Sequence, residues 1–274
     1  MITMEDRNVK DKIKINDIDT YYKLQGLENE KTIVFIHGLS DDLNYWSKLE
    51  YNFSKEYKTL SYDLRGHGKT DLGTVEVNYD TYQNDLYNLL KKLDIKEAVF
   101  VGLSLGGNIA LNFAIKHPEM TKGLILMSAF SEMTPELRVI FKEFEKSISH
   151  SYLSFYDNII RFCLPENMLK EYKDALNYTK YEKSKTANIK GILCGIVAGY
   201  DCSLTNELYK INCPTLILTG ENDDITPINL QKRINENIKD SKMIIFPNTK
   251  HNILINENIN KIIKLMEELL KNSY

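Results

Sequence analysis

The chain has 274 residues, 43% of them hydrophobic and 27% charged, enough apolar material for one sizeable core at a length that α/β sheets commonly fold as a single domain. Its 35 basic and 38 acidic residues leave a formal net charge of −3, which provides no basic field to gather nucleic acid or an anionic membrane. The N-terminal MITMEDRNVKDK is charged where a signal peptide would be apolar, and no run approaches the roughly eighteen apolar residues of a membrane span, so a cytoplasmic protein without membrane insertion is expected.

Residues 12–26 alternate apolar and polar side chains around Asn16-Asp17, the pattern of a hairpin at a sheet edge. The run TIVFI at 32–36 is apolar and β-branched, predicts a strand buried on both faces, and ends in His37-Gly38. Segments of the same kind follow at 58–64 (KTLSYDL), 97–103 (EAVFVGL), 123–128 (GLILMS), 214–220 (PTLILTG) and 242–247 (KMIIFP). Helical periodicity alternates with them at 44–56, 79–93, 106–116, 229–238 and 259–270; in the second of these Tyr82, Leu86, Leu89, Leu90 and Leu93 share one face. Alternating strand and helix predicts the α/β class, a mostly parallel central sheet with helices on both faces.

Residues 130–208 break that rhythm. No strand pattern occurs there, and the text is aromatic and helical (FKEFEK, YLSFYDNIIRF, NMLKEYKDAL, IKGILCGIVAG). A structureless loop of that length is rare in a compact domain, so an inserted helical cap is expected, with 1–129 and 209–274 forming the core. The four cysteines, Cys163, Cys194, Cys202 and Cys213, have no CxxC spacing and no neighbouring histidine, which argues for ordinary thiols. With no dinucleotide fingerprint or ligand cluster either, no cofactor or metal is implied.

The chemistry concentrates at Gly102-Leu103-Ser104-Leu105-Gly106, between a predicted strand and a predicted helix. A hydroxyl becomes a useful nucleophile when a base takes its proton and donors stabilise the oxyanion that forms. A sharp turn flanked by glycines lifts the Ser104 hydroxyl above the sheet, and the N–H of Leu105 at the helix start points toward the same place.

These motifs resemble the α/β-hydrolase fold family, over about residues 12 to 272. His37-Gly38-Leu39 matches the family's turn after the third strand, and the resemblance implies the N–H of Leu39 as second oxyanion donor. The segment from Asp63 to Thr70 (DLRGHGKT) matches the turn after the fourth strand, with Thr70 where serine is usual; its expected role is structural, Asp63 and Arg65 bracing loops. Gly220, Asp223 and Pro227 match the motif that carries the acid, with Asp224 the adjacent alternative. Of the five histidines, His251 alone follows the last strand, where the family places its base, although Lys250 stands where glycine usually does. The resemblance therefore implies a Ser104–Asp223–His251 triad in which Asp223 fixes the imidazole. Serine at the turn separates the chain from relatives that use an aspartate nucleophile, the haloalkane dehalogenases and epoxide hydrolases.

Within the family the chain resembles carboxylesterases and 3-oxoadipate enol-lactone hydrolases. The expected reaction is hydrolysis of a small to medium carboxylic ester, thioester or lactone through an acyl-enzyme at Ser104, by a monomer or homodimer. Candidate pocket residues are His37, Gly38, Phe130, Phe141 and Ile196. Other aromatic cap residues, Phe144, Tyr152, Phe155, Tyr156 and Phe162 among them, are further candidates, and Arg138 or Arg161 could clamp a substrate carboxylate. A lyase or acyltransferase on the same fold shares the first steps, and a slow-turnover ligand sensor signalling through the cap is a reading of a different class.

Overall fold

A computed structural model describes residues 8–274. β1 (Asn8–Ile15) and β2 (Ile18–Gln25) form an antiparallel hairpin whose two-residue turn puts Asn16 at φ +46°, a conformation asparagine tolerates better than most residues. β3 (Thr32–Ile36) follows, and then a 3₁₀ turn, Leu43–Trp46, leads into α1 (Ser47–Phe53). The helix expected over 44–56 is thus shorter and begins tighter. Asp42 caps the 3₁₀ turn by accepting from the Asn44 N–H, and the N–H groups of Glu56 and Tyr57 both return to the Phe53 carbonyl, which turns the chain into β4 (Lys58–Tyr62).

The other elements alternate as the pattern implied: α2 (Tyr79–Lys92), β5 (Ala98–Leu103), α3 (Leu105–Lys116) and β6 (Thr121–Met127). Five helices then intervene: α4 (Pro135–His150), α5 (Tyr152–Cys163), α6 (Glu166–Glu171), α7 (Lys173–Ser184) and α8 (Ile189–Gly199). The chain returns through β7 (Thr215–Gly220), α9 (Ile228–Asn237), β8 (Ser241–Phe246) and α10 (Asn256–Ser273). The eight strands lie in the order β1-β2-β4-β3-β5-β6-β7-β8, parallel from β4 to β8, with the hairpin joined to β4 in antiparallel register.

Each central strand feeds two cores because its side chains alternate. Val34 and Ile36 of β3 and Phe100 of β5 point to the face covered by α2, α3 and α9, where Leu86, Ile109 and Ile234 meet them. Ile33, Phe35, Val99 and Val101 point to the face covered by α1 and α10, against Leu49, Phe53, Ile262 and Met266. Each such aliphatic side chain, fully buried, is worth about 1.5–3 kcal/mol of transfer free energy. The first core also continues through Phe130, Leu137, Phe141, Phe144, Ile192 and Ile196, so the helices inserted between β6 and β7 share one core with the sheet.

The turn after β4 is the junction. Arg65 is buried and donates to both oxygens of Asp85 at 2.7 and 2.8 Å and to the Leu72 carbonyl, while also pairing with Asp17 at 2.8 Å. Asp63 accepts from the N–H groups of Leu43 and Lys69. The Thr70 hydroxyl accepts from the Tyr21 N–H of β2 at 2.9 Å. Gly66, at φ +72°, lies directly beneath Gly191 of α8, and a Cβ on Gly191 would overlap the Gly66 carbonyl.

Candidate active site

Ser104 sits between the last residue of β5 and the first of α3 with φ +51° and ψ −116°, a conformation that costs a non-glycine residue about 1–3 kcal/mol. The surroundings hold it there. Its N–H donates to the Met127 carbonyl at 2.8 Å, and its own carbonyl accepts from the Asn108 N–H. The flanking glycines make room: a Cβ on Gly102 would overlap the Gly106 carbonyl, and one on Gly106 would overlap that of Ile36. The side chain is thereby presented at the N-terminus of α3, where helix N–H groups lack internal partners.

The loops after β7 and β8 bring Asp223 and His251 together. His251 Nδ1 lies 2.9 Å from Asp223 Oδ2 and 3.0 Å from Oδ1, and the two residues are only 6% and 3% exposed. Asp223 Oδ1 also accepts from the N–H groups of Ile225 and Thr226, and the Thr226 hydroxyl lies 2.8 Å from Oδ2. A buried carboxylate is therefore fully partnered. With Nδ1–H directed at Asp223, the imidazole keeps Nε2 as its free acceptor nitrogen. The main chain is fixed too, since Ser128 Oγ donates to the His251 carbonyl at 2.8 Å. Asp224 faces elsewhere: its side chain is 64% exposed and lies 3.6 Å from the Lys250 ammonium.

Ser104 and His251 line one cavity of about 260 Å³, together with Leu39 and Leu105. Gly38, Phe130 and Phe141 line it as well, joined by Phe144, Tyr152, Tyr156, Ile159 and Ile160 of the cap. His37 and Ile196 stand outside the lining. The His37 ring is wholly buried as a brace, Nδ1–H donating to the Gly38 carbonyl and Nε2 accepting from the Leu64 N–H, and burial lowers its pKa to about 4. Ile196 turns into the main core, whereas Gly195 beside it on α8 reaches the cavity.

Neither cap arginine enters the cavity. Arg138 stacks 5.0 Å over the Tyr200 ring and bonds its carbonyl, and Arg161 donates to Asn158 Oδ1. The cation that does line the cavity is Lys183 of α7, 3.2 Å from Asp41 and 3.9 Å from Asp42. Burial works to neutralise Lys183, but the two carboxylates prevail and hold its pKa above that of an ordinary lysine. The Asp41 carboxyl is raised as well, because there burial outweighs the attraction of Lys183.

The sequence reading did not single out Thr226, Ser128, Asp41 or Lys183. Thr226 was legible in principle, because an aspartate accepting from the N–H groups two and three residues ahead is an Asx turn that DDIT can form. Lys183 was not, since it is one of several lysines on an otherwise polar helix.

A family model described as alpha/beta hydrolase fold matches residues 31–258. The chain is 28% identical to a proline iminopeptidase of Saccharolobus solfataricus over 95% of its own length and 92% of the relative's. It is 27% identical to a bifunctional esterase/perhydrolase of Acinetobacter calcoaceticus, covering 85% of this chain and 90% of that one. Among solved structures, the enol-lactonase of Burkholderia xenovorans LB400 superposes with a TM-score of 0.87 at 20% identity, covering 95% and 99% of the two chains. The sheet order, the strained serine at a strand-to-helix turn and the match across 31–258 lead to one conclusion: this chain belongs to the alpha/beta hydrolase fold family.

Proposed function

We propose that the protein is a serine hydrolase that cleaves a small to medium carboxylic ester, thioester or lactone through an acyl-enzyme at Ser104. The observation that carries this reading is the buried Asp223–His251 pair opening onto the same cavity as Ser104. In the proposed cycle His251 Nε2 takes the Ser104 proton as Oγ attacks the substrate carbonyl carbon. The N–H groups of Leu39 and Leu105 stabilise the resulting oxyanion. Collapse expels the alcohol or thiol, which receives its proton from His251. A water deprotonated by the same nitrogen then attacks the acyl group, releasing the carboxylic acid and restoring Ser104. Asp223 orients the imidazole and offsets its transient positive charge without taking the proton.

The cavity's aromatic and aliphatic walls suit an apolar acyl group, and its volume of about 260 Å³ lies near the lower end of small-molecule pockets, favouring short and medium chains. Activity-based labelling tests the assignment. A fluorophosphonate is expected to modify Ser104, and Ser104→Ala to lower kcat on nitrophenyl acyl esters by roughly 10⁴–10⁶ with the fold intact. An adduct elsewhere, or near-full activity in that variant, overturns it.

A second reading has one specific observation in its favour. Asp41 and Lys183 line the cavity wall, and Asp42, outside the lining, lies 3.9 Å from the same ammonium, so two carboxylates balance one cation and Asp41 could receive a substrate amine. That suits cleavage after an N-terminal residue, the activity named for the Saccharolobus relative. Faster turnover of proline nitroanilide than of nitrophenyl butyrate would favour the peptidase reading over the esterase.

A further inference from the structure

The last turn of an α-helix leaves four carbonyls without partners inside the helix. In α5 all four are taken, and three of the donors come from the His251 loop. Leu164 N–H closes on the Ile160 carbonyl at 3.1 Å. The Lys250 ammonium donates to Arg161 O at 2.9 Å, the His251 N–H to Phe162 O at 3.3 Å, and the Asn252 N–H to Cys163 O at 3.1 Å. Three consecutive residues of one loop thus complete three consecutive carbonyls of a cap helix.

We infer that Lys250 and the C-terminal turn of α5 act as positioning elements for His251, so that the cap as well as Asp223 sets the imidazole. The inference rests on the reading of His251 as the general base. His251 is strung between two bodies of the fold, its N–H bound to the cap and its C=O bound to Ser128 of the sheet domain. The neighbours on either side repeat the arrangement. Lys250 joins the α5 end to Asp224, next to Asp223, and Asn252 Oδ1 accepts from the Tyr45 hydroxyl at 2.7 Å and the Leu254 N–H at 3.1 Å. A small apolar cluster of Leu164, Met168 and Ile255, beginning at the residue after α5, closes the same junction.

A charged donor at a helix C-terminus is favoured by the partial negative charge gathered there, and bonds from a cation are stronger than neutral ones. Lys250 is therefore the strongest of the three ties. The same helix walls the cavity with Tyr156, Ile159, Ile160 and Cys163. An acyl group seated against those side chains bears on the helix whose end holds His251, which links occupancy of the cavity to alignment of the base.

Lys250→Met, which keeps the stem and removes the ammonium, and Lys250→Arg, which keeps the charge, provide the test. Turnover is read per active site, with the sites counted by fluorophosphonate titration, alongside amide hydrogen exchange. Lys250→Met is expected to lower kcat about tenfold with KM within about twofold, because misaligned bases slow chemistry more than binding. Lys250→Arg is expected to recover most of that loss. Exchange at residues 250–252 and 160–164 is expected to accelerate in Lys250→Met. In the wild type, the amides of His251 and Asn252 are expected to exchange in step with the last turn of α5, and to slow with it when a short alkyl boronate fills the cavity. Wild-type kcat and exchange in Lys250→Met, equal losses in both variants, or His251 and α5 exchanging independently each overturn the inference. Failure of the wild type to label at Ser104 instead overturns the hydrolase reading, so the two failures are told apart.

Discussion

Asp223 and Asp224 are adjacent and chemically identical, and only their surroundings separate them. Asp223 accepts from two backbone N–H groups, lies beside the Thr226 hydroxyl and holds His251, while Asp224 projects to solvent beside Lys250. Asp223→Asn would present an amide donor to Nδ1, favour the wrong imidazole tautomer and is expected to cost about 10³–10⁴ in kcat. Asp224→Asn is expected to stay within about threefold of wild type, and parallel esterase assays of the two variants check the contrast. The contrast also shows what a sequence can carry at this scale. The spacing from Gly220 to Asp223 and Pro227, matched to the family motif, picked the aspartate that lies against His251. Ser128, whose hydroxyl fixes the His251 carbonyl, has φ +49° and no local motif, so its role emerges only when β6 lies beside β7.

Packing between elements sets the cavity's shape, and Gly191 is the point where it is tightest. A side chain there would overlap the Gly66 carbonyl, so α8 can seat on the turn after β4 only with glycine in that place. Gly191→Ala is expected to lower stability by about 1–3 kcal/mol and to raise KM, since displacing α8 moves Gly195 at the cavity wall. Val197→Ala, on the exposed side of the same helix, is expected to change neither quantity; thermal unfolding and steady-state kinetics distinguish the pair. The strands were legible because a strand buried on both faces leaves a continuous apolar run, as in TIVFI. The direction of the cap helices was not. α8 is apolar nearly all round, so its sequence offers no polar face to orient it, and the neighbouring positions Gly195 and Ile196 part company, one to the cavity and one to the core. Arg138 and Arg161, the residues that could clamp a substrate carboxylate, lie outside the cavity lining, and Lys183 stands there instead, placed by how α7 packs against the loop after β3.

Across the whole molecule, three buried groups around the loops that follow β3 and β4 contribute to acid stability with opposing signs. The rings of His37 and His67 lie 5.4 Å apart, each with Nδ1 on a carbonyl, and burial lowers their pKa values to about 4 and about 3 from an ordinary 6.5. The charges facing the pair are Asp41, Asp42 and Lys183. Between pH 6.5 and 4 the unfolded chain binds a proton at each histidine that the folded chain does not, so this part of the stability is present above pH 6.5 and lost as pH falls, by about 1.4 kcal/mol per pH unit for each group. Asp63 works the other way. Burial pushes its carboxyl up to about 6 from 3.8, so over most of the same interval the folded chain holds a proton that the unfolded chain lacks. Two histidines outweigh Asp63; Asp41, also raised by burial, reduces the difference and His117, lowered by burial, adds to it, and the melting temperature is expected to fall from pH 7 to pH 5. His67→Asn keeps an amide donor for the Arg65 carbonyl while removing one of the two titrations. With only His37 left to oppose Asp63, the melting temperature of this variant is expected to fall less steeply between pH 6 and pH 5 than that of the wild type. An unchanged slope in His67→Asn would mean that acid sensitivity originates elsewhere in the fold.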